Sequence, residues 1–169
     1  KALLDAGMIQ KVHNVSAPLL PLAGYEQPDQ FKIYSTDIGI TTAMFGFQTQ
    51  IALMNDTLIG PAKGGIYENL IFDMLVKRGY KLNYIKKNDS TQEIEFLIEQ
   101  DCAIIPIEVK SKKGNTISLN QFLKEWQPPY SYKLTGTNMG KVDNKITMPH
   151  YLAMFIWSYT YSWIMSYFR

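Results

Sequence analysis

The chain has 169 residues, of which 46% are hydrophobic and 19% charged, with a formal net charge of +2. This is a globular balance, enough for one domain with a core or one domain plus a small appendage, and it excludes a disordered or fibrous chain. A balance this close to neutrality argues against a dedicated, sequence-independent nucleic-acid binder, so any polyanion contact must come from a local patch.

The single cysteine, Cys102, excludes an internal disulfide framework and a Cys-rich zinc site. Within the apolar run Cys102-Ala103-Ile104-Ile105 it reads as a small buried hydrophobe of a reducing cytosol. His13 and His150 lie far apart without ligand spacing and read as structural or surface residues. The opening, Lys1-Ala2-Leu3-Leu4-Asp5, has neither an initiating Met nor the pattern of a signal peptide, and it reads as cut from something longer. A cytoplasmic location is expected.

Residues 3–9 look like the end of a helix closed by Gly7, and 10–15 alternate weakly like a short strand. Residues 16–30 carry Pro18, Pro21, Gly24 and Pro28 and read as a loop, followed by a short strand at 31–34. Asp37 is placed to cap a helix over 38–45 that stops at Gly46. Residues 57–65, with Gly60, Pro61, Gly64 and Gly65, read as a connector. The clearest helix follows: Ile66, Leu70 and Met74 recur at i, i+4, with Tyr67, Ile71 and Leu75 as the adjacent stripe. Lys77 and Arg78 suit the negative end of its dipole, and Gly79 suits the position after its end.

Three strands are expected next, at 81–86, 93–99 and 103–110. The second alternates, with Ile94, Phe96 and Ile98 on one face and Glu93, Glu95, Leu97 and Glu99 on the other. The third is apolar until its end, as a central strand covered on both faces would be. After a turn at 114–116, Ser118-Leu119-Asn120-Gln121 fits a capping box opening a helix through Trp126, which Pro128-Pro129 ends. Strands at 130–135 and 151–156 complete the order. Helix, three strands, helix and strand together predict an α/β domain with a mixed sheet sandwiched by helices. Residues 151–168 are apolar and aromatic, close to the ~18–20 residues that span a bilayer. Ser158, Thr160, Ser162 and Ser166 interrupt them, so a buried strand running into a packed or disordered tail is expected, not a membrane helix. Such a tail is also a candidate surface for a partner or a second copy of the chain.

The chemistry-bearing pattern is Ile107-Glu108-Val109-Lys110. Two residues apart on a strand, Glu108 and Lys110 share a face, at the end of an otherwise buried run. Such a pair must emerge at the rim or be paired inside. Glu95, on the polar face of the preceding strand, meets Glu108 if the hairpin register allows. Glu68, expected in the first turn of the long helix, can lean over the sheet. Carboxylates that gather Mg²⁺ or Mn²⁺ beside a lysine supply what phosphodiester hydrolysis needs: an activated water and neutralised phosphate charge. Singly, each of these residues is as well explained by a helix-start charge or a solvated strand face. Their order along the chain makes the joint case.

The segments Leu4-Asp5-Ala6-Gly7-Met8-Ile9, Lys32-Ile33-Tyr34-Ser35-Thr36-Asp37-Ile38-Gly39, Gly65-Ile66-Tyr67-Glu68-Asn69, Glu93-Ile94-Glu95-Phe96-Leu97-Ile98 and Ile107-Glu108-Val109-Lys110 fall in the order of the DUF4143 domain, which this chain resembles over roughly residues 3–156. The resemblance implies the C-terminal part of a bacterial or archaeal AAA+-type ATPase. It further implies a restriction-endonuclease-like PD-(D/E)XK core over 61–157, preceded by a winged-helix remnant and linker at 1–60 and followed by the aromatic tail at 158–169. It carries catalytic roles onto Glu68, Glu95, Glu108 and Lys110, with the three acids as ligands of Mg or Mn. Glu95 stands where the family's pattern has Asp, which adds a methylene and shifts or relaxes the site. Gln121 is a candidate for orienting water or phosphate, although its capping role explains it equally well.

Lys86, Lys87, Lys112, Lys113 and Lys124 lie near these residues in sequence and could form a phosphate-positioning rim, with solvated surface lysines as the plainer reading. Trp126, Tyr130 and Tyr132 could stack on bases, or simply pack. No phosphate-binding loop of the G-x-x-x-x-G-K-[ST] type occurs, so ATP hydrolysis would belong to another part of the parent protein. Two readings stand: a metal-dependent nuclease of nucleic acid, or a non-catalytic nuclease-fold module docking nucleic acid or a protein partner. The first expects the acids to converge; the second expects them scattered or tied up by lysines.

Overall fold

The computed structural model describes residues 1–87, 92–112 and 114–156. Lys113 and the expected aromatic tail lie outside them. The element order is α1 (Ala2–Asp5), β1 (Ile9–Val15), β2 (Glu26–Ser35), α2 (Ile38–Met44), α3 (Phe47–Met54), α4 (Pro61–Lys77), β3 (Asn83–Lys86), β4 (Glu93–Gln100), β5 (Ala103–Val109), α5 (Ile117–Trp126), β6 (Ser131–Thr135), β7 (Gly140–Val142) and β8 (Lys145–Pro149). Short 3₁₀ turns occur at Leu22–Tyr25 and His150–Phe155. The strands form one eight-stranded sheet in the order β2-β1-β3-β4-β5-β6-β8-β7. Parallel pairs, β1/β3, β5/β6 and β6/β8, mix with the antiparallel pairs β1/β2, β3/β4, β4/β5 and β7/β8. No described helix is long and apolar enough to cross a membrane.

Two cores lie on the two faces of the sheet. On one, α4 packs Ile71, Phe72 and Leu75 against Tyr34, Phe96, Ile98, Ile105, Ile107 and Val109. On the other, α5 packs Leu119 and Phe122 against Val15, Leu22, Ile85, Ile94, Leu97 and Ile104. Strand β5 therefore sends Ile105, Ile107 and Val109 to the α4 face and its alternate residues to the α5 face. In β4 the expected alternation breaks. The β3–β4 register shifts between Asn83 and Ile85, and this irregularity puts Ile94 on the α5 face while Phe96 and Ile98 lie on the α4 face.

Several expectations need correction. The loop expected over 16–30 ends at Glu26, because β2 is an edge strand and an edge tolerates Pro28. Its pairing with β1 carries an irregularity at His13/Asn14, where the Asn14 amide donates to Gln27 and Gln30 and its oxygen accepts the Lys86 N–H. Strands β1 and β2 thus belong to the same sheet as the later strands, and no sheet boundary falls at residue 60. Helix α4 begins at Pro61, after Gly60 at φ 80. Proline serves at a first helical position, where its missing N–H has no partner to lose. Glu68 consequently lies two turns inside the helix, not in its first turn.

Asp37 does cap α2, its Oδ1 accepting the Ile40 N–H at 3.0 Å. Thr116 caps α5 in position but without a side-chain bond, and Ser118 falls inside the helix, so no capping box forms. Gln121 instead bonds the Gln92 side chain. Residues 150–155 form a 3₁₀ turn with Ala153 buried, not a strand. Helix α3 and the β7–β8 hairpin are additions that the sequence pattern did not announce. Cys102 is exposed, in the two-residue Asp101-Cys102 turn that joins β4 to β5 at positive φ.

Candidate active site

The end of β5 organises the site. By alternation Glu108 leaves the sheet on the α5 face, one step after the fully buried Ile107, and it is only 1% exposed. The register Phe96–Ile107, carried one residue further, sets Glu95 across from Glu108. There the regular ladder ends, and the Val109 N–H donates to Glu95 Oε2 at 3.3 Å. A side-chain carboxylate thus stands where a strand carbonyl would be. The Lys110 ammonium donates to Glu95 Oε1 at 2.9 Å and lies 3.2 Å from Glu108 Oε1. Glu95, Glu108 and Lys110 therefore converge from two strands: the spacing puts Glu108 and Lys110 on one face, and the register, which the sequence left open, brings Glu95 to them.

The electrostatics are those of two acids sharing one cation. Burial pushes the Glu95 carboxyl up to about 7, against the pull of Lys110. Burial raises Glu108 as well, with Lys110, Lys133 and Lys145 pulling the other way. For Lys110 burial acts to lower the pKa, but the two carboxylates prevail and hold it above its ordinary value, so the ammonium keeps its proton. Glu108 Oε2 is buried and has no hydrogen-bond partner. An unpartnered carboxylate oxygen in a buried site is costly unless positive charge reaches it.

Glu68 joins a different cluster. Its Oε1 accepts from Lys32 Nζ at 2.8 Å and from the Tyr34 hydroxyl. Lys32 also pairs with Glu93, which Lys86 approaches at 3.5 Å. Tyr34 belongs to the α4-face core and stacks on Phe72 with ring centroids 4.7 Å apart. Glu68 and Glu108 are thus on opposite faces of the sheet, and the expected three-acid ligand set is not assembled. Among the described residues no group of three or more His, Cys, Asp and Glu side chains is placed to hold a metal. Burial is the main cause raising the Tyr34 hydroxyl pKa, followed by the charges of Glu68, Glu93 and Glu95.

The lysine rim is divided among acids. Lys86 faces Glu93, Lys87 pairs with Glu125 at 2.8 Å, and Lys112 lies 3.5 Å from Asp56. Lys124 is exposed on α5. Tyr132 is buried, Tyr130 meets it edge-on at 5.7 Å, and Trp126 packs beside Phe122. These aromatics are packing groups.

Sequence reasoning passed over His150. Its Nε2 lies 2.9 Å from the Lys110 carbonyl oxygen, and its ring lies 4.4 Å from that of Tyr67. Burial lowers its pKa, so the neutral ring donates through Nε2 and pins the backbone at Lys110. Forty residues separate the pair, and no local pattern announces the contact.

These features define a mixed α/β domain with a buried acid–lysine cluster at its strand ends. Residues 63–150 match the family described as "Domain of unknown function (DUF4143)", and the match spans more than half of the chain and includes Glu68, Glu95, Glu108 and Lys110. The chain belongs to the DUF4143 family. No curated protein and no solved structure matches it.

Proposed function

We propose that this domain is a PD-(D/E)XK-type nuclease module, attached to an AAA+-type ATPase, that hydrolyses phosphodiester bonds at the Glu95–Glu108–Lys110 cluster with the help of a divalent cation. The observation that carries the proposal is the buried, unpartnered Glu108 Oε2 beside a second buried carboxylate, with one lysine between them. Two buried carboxylates thus share one lysine in direct contact, and one carboxylate oxygen is left without a partner. Glu95 and Glu108 are the residues that would hold Mg²⁺ or Mn²⁺, and two carboxylates suffice for Mg²⁺ when water and substrate phosphate complete its shell. A cation there would supply Lewis-acid polarisation of the phosphoryl oxygen and a more acidic water.

The chain's own groups divide the remaining work. Lys110 stays protonated and offers its ammonium to the charge that builds on the phosphoryl oxygens. Glu95, oriented by the Lys110 ammonium and the Val109 N–H, would present its carboxylate to the cation. His150 acts by positioning, through the Lys110 carbonyl. The test is cleavage of plasmid DNA and of single-stranded RNA in Mg²⁺ or Mn²⁺ by the chain and by Glu108→Gln. Cleavage lost in the variant supports the proposal; no cleavage by either protein counts against it.

A second reading is favoured by a specific observation. Glu68 is committed to Lys32 and Tyr34, and each candidate acid has a lysine partner. This arrangement suits a non-catalytic nuclease-fold module that docks nucleic acid or a protein partner. Such a module would leave nucleic acid uncut and bind no divalent ion at Glu108.

A further inference from the structure

Lys63 is the most deeply buried lysine side chain among those in described ion pairs, 4% exposed, in the first turn of α4. Burying an ammonium requires a counter-charge. Its counter-charge is Asp56, whose own side chain is 67% exposed on the α3–α4 loop. The other oxygen of that carboxylate lies 3.5 Å from the Lys112 ammonium, two residues beyond Lys110. One exposed carboxylate therefore bridges two lysines from different elements, at a residue with φ 55. The loop is short and turned back on itself, the Thr57 and Leu58 N–H groups both donating to the Ala52 carbonyl. Helix α4 itself has neither a side-chain cap nor an acid in its first turn.

A phosphoryl group presents a similar pair of anionic oxygens, and ammonium groups bind it as point charges. We propose that Lys63 and Lys112 form a phosphoryl-binding subsite, which Asp56 occupies as an internal stand-in until a phosphorylated ligand displaces it. The ligand class rests on the phosphodiester reading above only in naming a polynucleotide backbone as the occupant. The subsite itself requires no metal. Asp56 then acts as a competitor tethered to the site, and its removal leaves both lysines without that carboxylate.

The experiment is calorimetric titration with inorganic phosphate, without divalent ions, of the chain, Asp56→Asn, Asp56→Asn/Lys112→Ala and Asp143→Asn. Asparagine tolerates the positive φ at position 56, and Asp143→Asn makes the same charge change at an exposed turn. If the bridge is closed in ~90% of molecules, Asp56→Asn binds phosphate about tenfold more tightly, because the apparent affinity scales with the competent fraction. The double variant loses that gain, and Asp143→Asn shows none. A gain no larger than that of Asp143→Asn, or one that persists in the double variant, overturns the subsite.

A second arm uses a single-stranded oligothymidylate. Tighter binding by Asp56→Asn there as well identifies the occupant as a polynucleotide backbone. A gain for phosphate alone keeps the subsite and overturns nucleic acid as its occupant. Because no divalent ion is present, failure here is separate from failure of the carboxylate site at Glu95 and Glu108.

Discussion

Glu95→Gln keeps the shape of a buried side chain and removes its titration. In the folded protein burial raises this carboxyl from 4.5 to about 7. At about 1.36 kcal/mol per unit, that shift corresponds to about 3 kcal/mol between the two protonation states. The sign follows from proton counts. Between the two values the folded chain holds a proton that the unfolded chain has released, so stability falls as pH rises. The contribution is fully present below the ordinary value of 4.5 and is lost as pH rises through about 7. Glu108 is shifted in the same direction and adds to the fall. Urea unfolding of both proteins at several values between about pH 5 and pH 8 measures the effect, at a slope against urea that is the same for both. The wild-type chain loses stability on the order of 3 kcal/mol across that window, and Glu95→Gln has a profile flatter by most of that amount. Parallel profiles for the two proteins would refute the reasoning, because Glu95 would then ionise alike folded and unfolded.

Lys110→Met leaves two buried carboxylates without their shared cation and costs about 3–5 kcal/mol near neutral pH. The cost shrinks as pH falls and the carboxyls take up protons, and denaturant unfolding near neutral and at acidic pH checks the difference. Asp37→Ala removes the cap of α2 and lowers stability by about 1 kcal/mol, read as a shift in the urea midpoint at constant slope.

Where a pattern was local and repeated, the sequence was sufficient. The run 103–109 reads as a strand covered on both faces, and the i, i+4 stripes from Ile66 mark α4 beyond its first turn. Strand parity placed Glu108 and Lys110 on one face, but the register that brings Glu95 to them is set by the two-residue turn at Asp101-Cys102, which the pattern did not mark. What stayed hidden was set by tertiary geometry. Which face of the sheet α4 covers decides whether Glu68 can meet Glu108, and alternation along β5 does not reveal it. The break in β4 between Ile94 and Phe96 depends on the partner strand. Pro61 with Gly60, Gly64 and Gly65 looked like a connector because proline is read as a breaker, although it also suits a helix's first position. The β7–β8 hairpin has exposed residues throughout β7, so it offers no core-facing signal on that strand.

The central claim is that buried Glu95 and Glu108 form a cation site. Calorimetric titration of the chain and of Glu108→Gln with Mn²⁺ tests it most directly, since it reads binding whether or not a substrate is known. Binding to the chain is expected to strengthen as pH rises through about 7, where Glu95 ionises, and to vanish in Glu108→Gln. Binding that survives the substitution unchanged, or no binding at any pH, would contradict the claim.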